Sequence, residues 1–380
     1  MSLRLVVDRV IAEAEAAFGE LGEVVLADGR AIEPALVEDA DVLLVRSVTR
    51  VDAQLLAGSR VRFVGTATAG VDHVDVAWLA GQGIAFAAAP GCNARPVGEF
   101  VLASTLAHAA ATGRDPAQLR AGVIGCGHAG GWAARLLGAV GVRCVLNDPP
   151  RARHERGFVA LDEALDADVV TLHVPLSADG PFATRGLIGA RELAAMPPGA
   201  LLVNAARGGV VDEEAWRREI DSGRLHAVVD CWEGEPEVAP RLLDRAFIAT
   251  PHVAGHSVEA RLRATVQLRE ALANWAARQG RGLAHWAPAD GPARDPRVLP
   301  TTDPLAAAVF ACCDPRAWTV RMREVLHAEA DAAGRRAAFD RLRAEFGRRR
   351  EFGTVPVALP ADAPDTARVL TTLGFTLTTR

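Results

Sequence analysis

The sequence predicts an α/β protein: two doubly wound units in tandem, followed by a small α+β module at the C-terminus. Three observations predict it. Short runs rich in Val and Leu alternate with longer segments of helical period, the pattern of parallel strands joined by helical crossovers. That alternation occurs twice, on either side of a long Ala-rich stretch, Arg95–Thr112. Further on the composition shifts, with Pro288, Pro292, Pro296, Pro300 and Pro304 at four-residue intervals, which marks a linker or extended arm.

In the first unit, strands are expected at Leu3–Val7, Val42–Val45, Val61–Gly65 and Ile84–Ala87, separated by helices containing Ala, Glu and Leu. Arg95–Thr112 has the composition of a bridging helix, with Pro96 at a tolerated first-turn position and Gly113 near its end. The second alternation places strands at Ala121–Ile124, Arg143–Leu146, Val169–Leu172, Ala200–Asn204, Ala227–Asp230 and Phe247–Ala249. Such a set completes a dinucleotide-type (Rossmann) sheet. A helix follows at Glu259–Ala277, and from about Pro304 come three helices, a strand at Val355–Leu359, another helix and a short strand at Phe375–Leu377. The expected domains are 1–94 with 257–286, then 95–256, then 287–380.

A chain of 380 residues, half of them hydrophobic and 23% charged, buries a core without staples and is neither disordered nor fibrous. The net charge of −5 gives no general pull toward nucleic acid or anionic lipid, so small polar partners are expected. The cysteines Cys92, Cys126, Cys144, Cys231, Cys312 and Cys313 form no C-x-x-C pair and read as free thiols of a reducing compartment. No run reaches the ~18 apolar residues of a membrane span, and a cytoplasmic protein is expected. The chain has neither lysine nor tyrosine, which removes Tyr/Lys general acids, Schiff-base lysines and a Walker-A lysine.

Gly125-Cys126-Gly127-His128-Ala129-Gly130 follows a predicted strand and precedes a helix expected at Trp132–Val140. In that context the first Gly permits a tight turn, the second admits a diphosphate and the third lets helix and strand pack closely. Asp148 ends the next strand, eighteen residues after Gly130, where a carboxylate can accept hydrogen bonds from both ribose hydroxyls. NAD is therefore the expected cofactor, with Arg151 and Arg153 softening the discrimination against NADP.

Chemistry on a hydroxy acid needs a cation for the carboxylate, an acid/base for the hydroxyl proton and a group that tunes that base. Arg207 lies just past one strand end, Glu235 in the loop after the next, and His252 just past the last. The glycine loop with Asp148, Asn204-Ala-Ala-Arg207-Gly-Gly, Asp230 to Pro236 and Thr250-Pro-His252 resemble the D-isomer-specific 2-hydroxyacid dehydrogenase family in its Arg, Glu, His order. Three further segments, 45–49, 63–73 and 89–94, resemble one branch of it that acts on a phosphorylated four-carbon 2-hydroxy acid.

The resemblance implies that His252 exchanges the proton, Glu235 orients its imidazole, and Arg207 binds the carboxylate. Gly125, Gly127, His128, Ala129, Gly130, Asp148, Val174, Ala205, Ala206, Arg207, Asp230 and Gly255 would line the cofactor site. Arg46, Ser47, Thr68, Ala69, Gly70 and His256 would contact substrate. At two of these positions the chain departs from the family: His256 replaces a tyrosine and Val174 a threonine. The His252/His256 spacing also resembles a helical metal pair, but Gly255 interrupts the helix and no third ligand is evident, so no metal is expected.

The resemblance further implies a homodimer formed through the C-terminal module. In that case arginines of the Arg348-Arg349-Arg350 run would reach the partner's active site and hold a substrate phosphate. The alternatives are a dehydrogenase for 3-phosphoglycerate or for an unphosphorylated 2-hydroxy acid, or a non-catalytic NAD-sensing protein.

Overall fold

The structure is a computed structural model that describes residues 2–282, 284, 286–289, 295–359 and 363–378. Pro292 of the expected arm lies outside the described residues. The chain divides into two compact units, Met1–Asn93 with Glu259–Ala293, and Ala94–Val258 with Arg294–Arg380.

The first unit is built on a five-stranded parallel sheet of β1 (Leu3–Asp8), β2 (Gly22–Ala27), β3 (Val42–Val45), β4 (Phe63–Thr66) and β5 (Ala85–Ala87), in the order β2-β1-β3-β4-β5. The sequence reading missed β2. It is an edge strand that carries the apolar run Val24-Val25-Leu26-Ala27, but only Ala27 of its six residues is buried, whereas every residue of β3 and β4 is. Leu5, Val7, Leu44 and Phe63 pack one face against Leu268, Leu272 and Trp275 of the helix Val258–Ala277.

The second unit carries a six-stranded parallel sheet of β6 (Arg120–Ile124), β7 (Arg143–Asn147), β8 (Val169–Leu172), β9 (Leu201–Asn204), β10 (His226–Val229) and β11 (Ile248–Ala249), in the order β11-β10-β9-β8-β6-β7. Every residue of β8 and β9 is buried, as a sheet covered on both faces requires. The helix Ala94–Thr112 lies against the helix His128–Ala139 so closely that a Cβ on Gly98 would sit 2.8 Å from the Trp132 carbonyl carbon.

The C-terminal residues belong to this same unit. Met322, Leu326, Phe339, Leu342 and Phe346 from the helices Pro315–Ala328 and Ala332–Phe346 join a core with Leu202, Val229 and Ala249. The Thr319 hydroxyl accepts the Ala249 amide at 3.0 Å, which covers the free edge of β11. A small parallel sheet of β12 (Arg297–Val298), β13 (Val357–Ala358) and β14 (Leu377–Thr378) completes the segment. β12 was not foreseen, because the two residues sit among prolines and are both exposed.

Candidate active site

All strands of the second sheet run parallel, so the carboxyl ends of β6, β9, β10 and β11 emerge along one edge, where open sheets of this kind bind ligands. At β6 the chain turns through Gly125, with φ of 83°, into the helix His128–Ala139. A Cβ on Gly125 would lie 2.8 Å from the His173 carbonyl carbon, and one on Gly130 would lie 1.9 Å from the Gly125 oxygen. Both positions therefore require glycine for packing. Gly127 differs: a Cβ there meets nothing within 4 Å, and this N-cap has no side-chain hydrogen bond. Open space thus faces backbone amides with no capping side chain at a helix N-terminus, a site suited to a dinucleotide diphosphate. The helix begins at His128 rather than Trp132, which puts His128, Ala129 and Gly130 in its first turn; the glycines' weak helix propensity hid this.

Asp148 accepts the Cys126 amide at 2.9 Å and the Arg151 amide at 3.1 Å, which ties the end of β7 to the glycine loop. Arg151 donates to the Cys126 carbonyl at 2.5 Å and pairs with Glu155, while its guanidinium lies 5.0 Å from the Phe158 ring centre. Val174 closes the loop's other side, with a Cγ 2.8 Å from where a Gly125 Cβ would stand. Beside it, His173 bonds the Thr171 hydroxyl at 3.0 Å, and burial pushes its pKa down to about 3, so its imidazole is neutral. The sequence reading passed over His173, although its place just past β8 was a signal.

Two loops meet beyond β9 and β10. The Asn204 side chain donates to the Arg207 carbonyl at 2.9 Å and accepts the Ala206 amide at 3.2 Å, fixing the turn through Ala205 that presents Arg207. Gly208 lets this turn touch the next one, since a Cβ there would fall 2.0 Å from the Trp232 carbonyl oxygen. The Trp232 indole donates to the Thr250 carbonyl at 2.9 Å, and its amide donates to the Glu235 carboxylate at 3.2 Å.

The other Glu235 oxygen lies 2.5 Å from His252 Nδ1. Burial works to raise the Glu235 pKa, but the His252 charge and hydrogen bond, the Trp232 amide and Arg343 outweigh it and hold the carboxyl below its ordinary value. His252 itself has φ of 54°, a left-handed conformation that a non-glycine residue adopts only under surrounding constraint.

Asp230 supplies that constraint. Its carboxylate accepts the Val253 amide at 2.7 Å, the Ala254 amide at 3.0 Å and the Thr250 hydroxyl at 2.6 Å, while its carbonyl accepts the His252 amide at 2.8 Å. Asp230, expected to line the cofactor site, is 1% exposed, and both of its carboxylate oxygens hold the His252 loop. Burial raises its pKa, against the pull of His252, Thr250 and the two amides. Gly255 and His256 complete the turn, with the His256 amide donating to the Val253 carbonyl at 2.9 Å.

Glu213, at the start of the helix Glu213–Asp221, accepts the Glu233 amide at 2.6 Å. Burial, with help from the charges of Glu233 and Glu235, pushes its pKa up to about 7 against that hydrogen bond. The folded state therefore holds this proton more tightly than the unfolded chain, and stability attributable to Glu213 falls as pH rises from the usual carboxylate range to about 7. Glu213→Gln is expected to flatten the melting temperature across that window and to raise it at pH 8. An unchanged pH dependence in thermal melts would refute this.

In the first unit, the residues expected to touch substrate follow β3 and β4. Arg46 and Ser47 leave β3, with Ser47 exposed. At the end of β4, the Thr66 hydroxyl lies 2.8 Å from that of Thr68 and 2.9 Å from His73 Nε2, and Thr68 donates to the Gly70 carbonyl at 2.7 Å. Ala69 packs with Ala89, Cys92 and Ala264. Arg46, Ser47, Thr68, Ala69 and Gly70 therefore share the carboxyl-end edge of this parallel sheet.

Within the arginine run, Arg349 is buried in its own unit and bonds Glu99 at 2.9 Å. Arg348 and Arg350 line a cavity of about 780 Å³ together with Arg297, Trp318 and Arg321, which none of Arg207, Glu235 and His252 borders. Among the described residues no cluster of His, Cys, Asp and Glu could hold a metal, and no helix is long and apolar enough to cross a membrane.

Residues 95–254 match the family model described as D-isomer specific 2-hydroxyacid dehydrogenase, NAD binding domain. Among solved structures, a protein of Thermus thermophilus is similar at a TM-score of 0.62 and 29% identity, over 74% of this chain and 98% of that one. The D-lactate dehydrogenase of Aquifex aeolicus, complexed with NAD and lactic acid, shares the fold at a TM-score of 0.59 and 21% identity, over 72% and 95%.

Curated relatives narrow the assignment. The erythronate-4-phosphate dehydrogenase of Marinobacter nauticus is 42% identical over 98% of this chain and 99% of its own. That of Pseudomonas aeruginosa is 43% identical over 99% and 100%. The chain belongs to the D-isomer specific 2-hydroxyacid dehydrogenases and, within them, to the erythronate-4-phosphate dehydrogenase family.

Proposed function

We propose that the chain catalyses the NAD-dependent oxidation of 4-phospho-D-erythronate to 2-oxo-3-hydroxy-4-phosphobutanoate, a step of pyridoxal 5'-phosphate biosynthesis. The observation that carries this reading is full-length similarity to erythronate-4-phosphate dehydrogenases in a chain whose His252 and Glu235 side chains are in contact.

NAD, when bound, supplies the hydride acceptor. The residues provide the rest. With Nδ1 engaged by Glu235, the Nε2 of His252 is the ring nitrogen left to take the C2 hydroxyl proton, and the Glu235 carboxylate steadies the imidazolium that forms. Arg207 binds the C1 carboxylate and holds charge growing on the C2 oxygen. Gly127 and the first turn of the helix His128–Ala139 receive the diphosphate, and Asp148 the ribose hydroxyls. The edge of the first unit that carries Arg46, Ser47, Thr68, Ala69 and Gly70, with His256, contacts the remaining substrate groups.

The test is NADH formation on 4-phospho-D-erythronate, 3-phosphoglycerate and D-lactate, with an α-keto acid acceptor run in parallel. Turnover led by 4-phospho-D-erythronate is expected. Preference for either other acid, or NAD binding without turnover, would overturn the reading.

The protein is further proposed to be a cytoplasmic homodimer joined through its C-terminal segment. Its cysteines are all free and all but Cys144 buried, which suits a reducing compartment. Val298 and Val320 stand 67% and 56% exposed on that segment, as apolar residues awaiting a partner would. Light scattering is expected to give twice the chain mass, falling to one chain in Val298→Asp/Val320→Asp; a monomeric wild type would refute the dimer.

A further inference from the structure

The loop that carries His252 is gripped from two sides. Asp230 holds the amides of Val253 and Ala254 on one side. On the other, Arg349 donates to the Ala254 carbonyl at 3.1 Å, its own carbonyl accepts the Val258 amide at 3.1 Å, and the Ser257 hydroxyl donates to Glu351 at 2.7 Å. Four charges make up this second grip. Arg349 bonds Glu99 at 2.9 Å, and Arg95 bonds Glu99 at 3.0 Å and lies 3.7 Å from Glu351. The Phe352 amide also donates to Glu99 at 3.0 Å, and Arg349 reaches the Pro96 carbonyl at 2.6 Å.

Burying so many charges costs free energy, so their selection points to a service other than stability alone. The Arg349 side chain is 4% exposed and that of Glu99 is not exposed at all. Two arginines balance two glutamates, and the hydrogen bonds converge on residues 254–258, immediately beyond a histidine held at φ of 54°. A left-handed residue relaxes unless both flanks are fixed. Asp230 fixes the flank at 253–254 and the charge cluster fixes 254–258.

We propose that Arg349, seated on Glu99 and supported by Glu351, is a positioning residue for the reaction: it sets the backbone of the His252 loop and through it the aim of the imidazole at Glu235. The C-terminal extension thereby takes part in catalysis from within its own chain. This inference rests on the assignment of His252 as the acid/base.

Glu99→Gln/Arg349→Met removes one charge of each sign, so no single buried charge is stranded. The purified full-length double variant is expected to melt cooperatively and bind NAD with wild-type affinity, while kcat drops by about tenfold or more through a misaimed imidazole. KM for the hydroxy acid should change less than kcat. In histidine-selective NMR of the protein without substrate, the His252 ring signals should shift, since the imidazole no longer sits in the same place beside Glu235. Arg349→Lys, which keeps the charge but loses the forked donor, should recover part of kcat.

A folded double variant with unchanged kcat and unchanged His252 ring signals would overturn the proposal. Should the double variant fail to fold, Ser257→Ala decides: a kcat loss of roughly threefold at unchanged melting temperature supports the grip, and wild-type kcat refutes it. The NMR measurement needs no turnover, so it reads the positioning even if the wild type oxidises none of the acids tested, an outcome that would sink the functional reading instead.

Discussion

His252→Ala is expected to lower kcat on 4-phospho-D-erythronate by roughly 10²–10⁴-fold, the usual worth of a positioned acid/base. The expectation follows from the contact between His252 Nδ1 and Glu235 at 2.5 Å, which leaves the opposite ring nitrogen for the hydroxyl proton. NAD affinity should stay near wild type, because the glycine loop and Asp148 form their contacts without His252. Position 252 has a left-handed backbone, so alanine alone could lose activity through local rearrangement. His252→Asn controls for this, since asparagine tolerates that conformation yet cannot exchange the proton. Both variants should lose activity to a similar extent in steady-state assays. Wild-type turnover in His252→Asn would remove His252 from the chemistry.

Gly208→Ala is expected to have the second-largest effect. Its single new carbon would lie 2.0 Å from the Trp232 carbonyl oxygen and 2.3 Å from the carbonyl carbon, which are backbone atoms that cannot swing aside. The Arg207 turn and the Glu235 turn must therefore separate. Overpacking of this kind costs about 1–3 kcal/mol of stability. Displacement of about 1 Å at reacting groups costs on the order of 10²-fold in rate. Thermal melts together with kcat would read both effects, and a variant with wild-type kcat would show that the contact between these turns does not govern the site. Gly127→Ala is the matched control, because a Cβ there meets nothing in the protein; its loss should appear in NAD affinity rather than in melting temperature.

Much of this molecule was legible in its sequence because parallel sheets write themselves as short apolar runs. β3 and β8 lie where their Val- and Leu-rich segments put them, and the Gly125, Gly127 and Gly130 spacing marked the turn into a helix that the structure shows. Arg207, Glu235 and His252 were also visible in order, since each stands just past a strand and strand ends are readable.

Other features were hidden for physical reasons. β12 is an edge strand of two exposed residues, so no apolar run announced it, and β2, though it holds Val24-Val25-Leu26-Ala27, is an edge strand without the full burial of its neighbours. Asp230 and Arg349 look like ligand-facing charges along the chain, and only burial reveals that one holds amides at 253 and 254 while the other holds a carbonyl at 254. The sequence by itself determined the fold class, the cofactor loop and the order of the reacting groups, because these depend on local pattern. Tertiary structure alone decided which charges face inward, because the contact of Arg349 with Glu99 joins residues 250 positions apart and leaves no local periodicity behind.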